Sequence, residues 1–507
     1  MRHNRSEPTI TRLMPRQFLL LLLAPLLLWP AIVNGGAFFF PDTPTYVRGM
    51  DALAVRVLGR ASDWTTRRTI HVARPAVDGR VPATVKALPG DREDAPVLTG
   101  RSPFYGALAY LGVLFGSFWW VIALQALAVI AVLIGVMRHA VDPARRRAFG
   151  LAVLAAVAVA TLTPLPYFTA LLMPDIFAGL AIVAAAALLA GWRRETRPGR
   201  IGWIAVAGYG ALSHSATTLI LSGMIGVAAL LWALRRRIAP AAIGAVAVAA
   251  LLGIAGDAAF AVAVRHMTGH PPIRPPFVTA RLTADGVGTD YLRAHCGVEH
   301  WRLCRYRDRL PLHSDSFLWS ADPRNGVFST IPPADARALS AEQGRFMLAV
   351  LRERPLEALR SSSAAILAQL TRTGLEEFHY APEEFPGFAA KMPDALVTDV
   401  RRTGAYRGAI PVALVVALTW PFVVAGLLLI GWAWRQPALR HQATLGLWMA
   451  FAWVVNNAVC GALSTPHDRY NMRVIWMLPL AAAIIVAAAV AQRRRVAARV
   501  RTLAVTG

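Results

Sequence analysis

Charge is what this sequence has least of. Only 16% of its 507 residues are Asp, Glu, Lys or Arg, against about a quarter in an ordinary soluble domain. Lysine is nearly missing: of 53 basic residues only Lys86 and Lys391 are lysines, and acids number just 29. Internal repeats, heptad arrays and low-complexity tracts are absent. With 56% of residues hydrophobic and a mean hydropathy of +0.46, the shortage of charge excludes a soluble enzyme or a disordered scaffold. Cysteine is scarce too, with three in the chain. Cys460 lies in an apolar run and reads as inert packing. Cys296 and Cys304 enclose a short loop, and an oxidising compartment favours a disulfide between them. His295 and His300 stand nearby, but the spacing matches no zinc pattern, so no metal site is read there.

What the chain has instead is apolar runs near or above the ~18 residues that suggest a spanning helix. They predict an all-α polytopic membrane protein with ten spans, at 17–40, 117–137, 148–166, 171–191, 201–214, 216–234, 239–264, 408–434, 442–462 and 471–491. The first run is long for a signal-peptide core, although VNGGA would supply small residues for cleavage. The stretch 201–234 is short for two crossings, but basic clusters flank it on both sides, which argues for two. Two large polar elements remain: a first outer loop at 41–100 and a larger, mixed outer loop domain at 265–407. Between them lie the membrane helices of 101–264. The last three spans and a basic tail fill 408–507. Within the larger loop, 340–370 has helical periodicity interrupted at Pro355. It reads equally as packing within the loop or as a helix lying in the membrane interface.

The net charge of +24 first suggests nucleic acid. Its placement says otherwise. Short loops assigned to one face hold 22 basic residues and three acids, a surplus of 19. That is the positive-inside pattern and puts both termini in the cytoplasm. Dispersed among short loops, the basic residues form no nucleic-acid surface.

The unusual polar residues fall on the opposite, outer face. They are Asp42 and Tyr46 in FPDTPTY, Arg101 and Tyr105 in GRSPFY, Asp175 in MPD, His214 in SHS, Asp257, and Asp468, Arg469 and Tyr470 in STPHDRY. Ionisable groups at membrane depth cost several kcal/mol unless paired or facing a wet cavity. A shared cavity at the outer interface accounts for them together. Each also has a plainer reading. Asp42 and Asp175 suit helix caps, Arg101 an interfacial anchor and His214 a packing histidine. Asp257 suits a pair with Arg265, and Asp468 with Arg469 a local surface pair.

These stretches resemble the GT-C superfamily of membrane glycosyltransferases. The likeness is to bacterial relatives of the dolichyl-phosphate-mannose protein mannosyltransferase and aminoarabinose transferase families. FPDTPTY resembles their acidic first-loop motif, and GRSPFYGALAYLGVLFG their Arg-Pro-Pro-Leu-Tyr motif. PDIFAGLAIVAAAALLAG resembles their fourth helix, DRYNMRVIWMLPLAAA a late helix, and FMLAVLRERPLEAL the helix before the later spans. The chain departs from the pattern in three places. Arg101-Ser102-Pro103 replaces Arg-Pro-Pro, the late proline is displaced to Pro479, and the first outer loop has no Asp-x-Asp.

The resemblance implies transfer of a sugar from a polyprenyl-phosphate donor to a lipid or glycan acceptor of the envelope, at the outer face of the bacterial inner membrane. It implies catalytic roles for Asp42, as base, and Asp175, orienting sugar hydroxyls or steadying Arg101. Arg101 would clamp phosphate, with Arg469 second. Tyr105, His214, Asp468 and Tyr470 would join them in binding substrate. The resemblance fixes no cofactor, and a divalent cation stays open, with the missing Asp-x-Asp counting against it. Partners are the donor, the acceptor and membrane lipids. Two other readings stand beside this one. The first is a transporter or flippase of lipid-linked sugars, against which the lack of repeats counts. The second is a non-catalytic envelope assembly protein.

Overall fold

The computed structural model describes residues 23–60, 62–64, 97–235, 238–382 and 385–506. Regular structure among them is helical, and the β pairing consists of two isolated bridges, Phe38 with Leu171 and Leu98 with Ile273. The first half of the chain winds α1 Trp29–Asn34, α2 Thr43–Leu58, α3 Pro103–Leu114, α4 Trp119–Met137 and α5 Arg146–Thr161. It continues with α6 Leu165–Ala170, α7 Asp175–Gly191, α8 Arg197–Ser213, α9 Ser215–Ala233 and α10 Pro240–Thr268. The large loop carries α11 Phe277–Ala284, α12 Val287–His295, α13 Ser314–Trp319, α14 Pro333–Glu353, α15 Pro355–Thr371, α16 Phe385–Ala389 and α17 Asp394–Arg401. The chain closes with α18 Ala413–Arg435, α19 Arg440–Leu463, α20 Asp468–Ile475 and α21 Met477–Thr506.

Among the described residues, six helical stretches are long and apolar enough to cross a membrane: α4, α9, α10, α18, Pro437–Leu463 and Asp468–Ala498. The chain is a helical, multi-pass membrane protein. The other expected spans are shorter, broken or partly outside the described residues. The stretch read as 148–166 breaks after Thr161 into α6, and α7, with 17 residues, is only about 25 Å long at ~1.5 Å per residue. The first expected span lies partly outside the described residues. Its described part bends at Leu28 between two short helical pieces. Most of the first outer loop, 65–96, is also outside them. The stretch 201–234 forms two helices broken at His214, whose backbone is extended at φ −154° and ψ 121°.

α7 is the central helix, buried along nearly its whole length. Its small residues allow that. A Cβ on Gly179 would stand 2.6 Å from the Trp476 ring, and one on Gly210 would stand 2.6 Å from both Ala181 Cβ and the Phe177 carbonyl oxygen. Close approach through small residues is how membrane helices associate. Gly210→Val should therefore lower the thermal stability of the detergent-solubilised chain by about 1–3 kcal/mol through overpacking. Gly226→Ala, at a helix position with nothing within 4 Å, should leave stability unchanged or raise it, because alanine is the better helix former.

The large loop is not one unit. From Ile273 to Val350 it builds its own core around Tyr291, Trp301, Phe317 and Phe346, and Cys296 and Cys304 are disulfide-bonded at its edge. From Leu375 to Ile410 it joins the core of the helical body instead. There Phe378 packs edge-on against Phe38, with ring centroids 5.0 Å apart. The 340–370 segment is α14 and α15, divided at Arg354 before Pro355. Gly461 of α19 lies so close to α15 that a Cβ there would come 2.9 Å from the Ala365 carbonyl oxygen. The other face of α15 leaves Leu356, Leu359 and Leu367 exposed.

Candidate functional site

Asp42 precedes the first turn of α2 but does not cap it with its side chain. Thr43 takes the local work: its hydroxyl accepts from Phe40 N at 2.9 Å and donates to the Leu172 carbonyl at 3.0 Å. This ties the FPDT turn to the residues just before α7. The Asp42 carboxylate is thereby left for Arg101, whose Nη2 donates to Oδ1 at 2.5 Å. Ser102 fixes Arg101 in place, because its Oγ caps α3 through Phe104 N and Tyr105 N and donates to the Leu212 carbonyl at 2.6 Å. The Arg101 guanidinium also lies over Trp319 of α13, 5.4 Å from the ring centroid. The two side chains keep 21% and 24% of their exposure. The pair is therefore reachable, and Arg101 is held in an ion pair.

Asp175 opens α7 and is buried, as is its partner Arg473 of α20. Arg473 Nη1 donates to Asp175 Oδ1 at 3.3 Å, and Nη2 donates to Asn456 Oδ1 at 3.0 Å. Arg469, one helical turn earlier, approaches Asp175 Oδ2 at 3.9 Å and Glu377 Oε2 at 3.6 Å, and lies over the Phe40 ring at 4.0 Å. Those contacts are too long for hydrogen bonds. Arg469 Nε and Nη1, Arg473 Nε, Asp175 Oδ2 and Glu377 Oε2 are buried without a hydrogen-bond partner. Buried donors and acceptors are normally paired. Here several unpaired ones sit together, between two arginines and two acids.

Asp468 does not pair with Arg469. It points to Arg372 of the loop at 3.9 Å, because Gly374 brings the loop backbone against its carboxylate. Tyr470 flanks both arginines, with its ring 5.3 Å from each guanidinium carbon. His214 lies within electrostatic range of Asp175, Arg473, Arg469 and Arg101, and its Nδ1 accepts from Ala216 N at 3.1 Å to cap α9. Tyr105 is fully buried and donates to Gln125 Oε1 at 3.0 Å, while Gln125 Nε2 donates to the Thr169 and Leu171 carbonyls. It underpins the site and presents no free group to a ligand. Asp257 lies apart, exposed, 3.9 Å from Arg274 and not paired with Arg265.

Three contributors escaped the sequence reading. Arg473 had a signal, being a charged residue inside an apolar helix. Glu377 and Asp315 sit in irregular loop sequence that carries none. Asp315 meets His467 Nε2 at 3.0 Å, and Glu377 lies 4.0 Å from the other ring nitrogen. Gln369 clamps the same turn, accepting from His467 N at 2.9 Å and donating to its carbonyl at 2.8 Å. Burial pushes the Glu377 carboxyl up, partly offset by the Arg469 charge. Arg101, Arg469 and Arg473 thus lie among Asp42, Asp175 and Glu377. Burial also pushes Asp315 up, but the His467 hydrogen bond and charge outweigh it and hold Asp315 below the usual carboxylate range.

A depressed carboxylate stabilises the fold above its unfolded pKa of about 3.9, and that stability is lost as pH falls through the lower folded value. Wild-type protein should therefore lose hydrogen-exchange protection at α13 and at 464–468 as pH drops below about 4. Asp315→Asn should have weaker protection there at neutral pH and no such acid step.

Among the described residues, no three His, Cys, Asp or Glu side chains converge to hold a metal ion. The chain matches no family model, no curated protein and no solved structure. The functional reading rests on the residues themselves.

Proposed function

We propose that this protein is a membrane glycosyltransferase that moves a sugar from a polyprenyl-phosphate donor to an envelope acceptor, at the outer face of the bacterial inner membrane with both termini in the cytoplasm. One observation carries the reading. Arg101, Arg469 and Arg473 gather at one end of an apolar helical body beside Asp42 and Asp175, and part of their hydrogen-bonding capacity is unspent. Guanidinium groups match phosphate oxygens in pairs, and a lipid-linked phosphate is the anion that an apolar body would receive.

The chemistry follows from the ion pair. A donor phosphate competes with the Asp42 carboxylate for Arg101. Once displaced, Asp42 takes the proton of an acceptor hydroxyl. The hydroxyl oxygen forms a bond to the anomeric carbon, and the bond from that carbon to the phosphate oxygen breaks. The phosphate leaves with the electron pair, held by Arg101 and Arg469. A base held at the acceptor hydroxyl removes its proton as the new bond forms. Fixed cations at the leaving group stabilise charge as it develops.

The test is binding of polyprenyl phosphate to the purified chain by native mass spectrometry. Wild type should bind it, and Arg101→Gln should weaken binding about tenfold or more, since a hydrogen bond to a charged group is worth about 1.5–3 kcal/mol. Equal binding by both proteins would contradict the role of Arg101.

A further inference from the structure

At the other end of α7, about 25 Å from Asp175 along the helix, lies a second polar site that the proposed reaction does not use. A cavity of about 380 Å³ is bounded by the turn after α4, the residue stretch after α7, the start of α19 and the later part of α21. Each of three of these elements contributes an arginine: Arg138, Arg194 and Arg495. Among the described residues none of the three takes part in an ion pair, and Asp142 is the one acid in the cavity lining. The walls thus carry an excess of two positive charges.

The floor is ordered and polar. Gln442 is buried, its Nε2 donates to the His139 carbonyl at 2.5 Å, and its Oε1 has no hydrogen-bond partner. His139 lies between His441, at 2.9 Å, and Glu195, at 3.0 Å. Gly191 makes room for its ring, since a Cβ there would stand 2.5 Å from His139 Cε1. Gln442 is thus a buried lining residue of the cavity whose side-chain acceptor has no hydrogen-bond partner.

Basic residues that only mark topology need no hollow and no common focus. Here guanidinium groups from three elements surround one cavity beside an unpaired buried acceptor. We propose that this cavity binds a phosphate-bearing ligand that also carries a hydroxyl. Arg138, Arg194 and Arg495 hold the phosphate, and Gln442 Oε1 accepts from the hydroxyl. A phosphoglycerol group has that chemistry, whether as the headgroup of an anionic phospholipid or as free glycerol phosphate. The site is independent of the glycosyltransferase reading, because it shares no residue with the cluster at the other end.

The thermal unfolding midpoint of the full chain in detergent tests this. Four titrations are run at constant ionic strength: phosphatidylglycerol, phosphatidylcholine, glycerol phosphate and inorganic phosphate. Phosphatidylglycerol or glycerol phosphate should raise the midpoint saturably and more strongly than inorganic phosphate, while phosphatidylcholine should not. A response to the lipid alone identifies a membrane source, and a response to glycerol phosphate identifies the free ligand. The triple variant Arg138→Gln/Arg194→Gln/Arg495→Gln should shift half-saturation at least tenfold. Arg324→Gln, an exposed loop arginine outside both sites, should leave it unchanged. Should the triple variant not fold, Arg495→Gln alone, on an exposed turn of α21, should still shift it at least threefold. No response to either phosphoglycerol ligand in the wild type overturns the proposal. So does an unchanged half-saturation in the arginine variant.

Discussion

Replacing Arg473 with leucine is expected to be the most damaging single change in the protein, costing about 3–5 kcal/mol. Arg473 and Asp175 are both buried, and each is the other's nearest opposite charge at 3.3 Å. Removing the guanidinium leaves a carboxylate at the head of the central helix with only the longer approach of Arg469. Asn456 also loses the donor to its Oδ1. A buried charge left without its partner carries its desolvation cost uncompensated. The measurement is the unfolding midpoint and the folded yield in detergent. The sign of the coupling is the sharper part of the expectation. Asp175→Asn combined with Arg473→Leu should be less destabilised than the sum of the two single variants, because the double variant buries no lone charge. Additive effects would show that the ion pair does not hold α7 to α20.

The second large effect is on reaction rate. Asp42→Asn should lower sugar transfer by about 10²–10⁴, the usual contribution of a positioned general base, with the fold intact because Asp42 does not cap α2. Binding should move the other way. The neutral amide no longer competes as an anion for Arg101, so polyprenyl phosphate should bind as well as before or more tightly. A rate loss with retained donor affinity separates a base from a group that merely shapes the pocket. If Asp42→Asn weakens donor binding as much as it slows transfer, Asp42 is not acting as the base.

Much of this arrangement could be read from the sequence, and the limits have physical causes. Apolar runs and the segregation of basic loops point to a helical multi-pass membrane protein, because hydrophobic length is a one-dimensional property. Hydropathy does not register helix breaks, and several of the ten expected spans are short or interrupted helices. The Leu162–Pro164 interruption between α5 and α6, and the short α7, are packing features of a crowded core. His214 was legible as the break between two helices, but not as the cap of α9. Within the site, Asp42, Arg101, Asp175 and Arg469 stood out because charge beside apolar sequence is costly. Their pairing did not, since Asp42 meets Arg101 across 59 positions and Asp175 meets Arg473 across 298. Glu377 and Asp315 come from irregular loop segments in which an acid is unremarkable. Tyr105 looked like a substrate contact because of its neighbours, and only the fold turns its hydroxyl to Gln125.

The most direct test of the central claim is transfer itself. Purified wild-type protein is incubated with a panel of labelled polyprenyl-phosphate sugars and envelope lipid and glycan acceptors, with Asp42→Asn and Arg101→Gln in parallel. Wild type should release polyprenyl phosphate together with a glycosylated acceptor for at least one donor, and both variants should be slowed at least about a hundredfold on that donor. Absence of transfer from every donor by folded wild-type protein, or transfer by Asp42→Asn at the wild-type rate, would contradict the account.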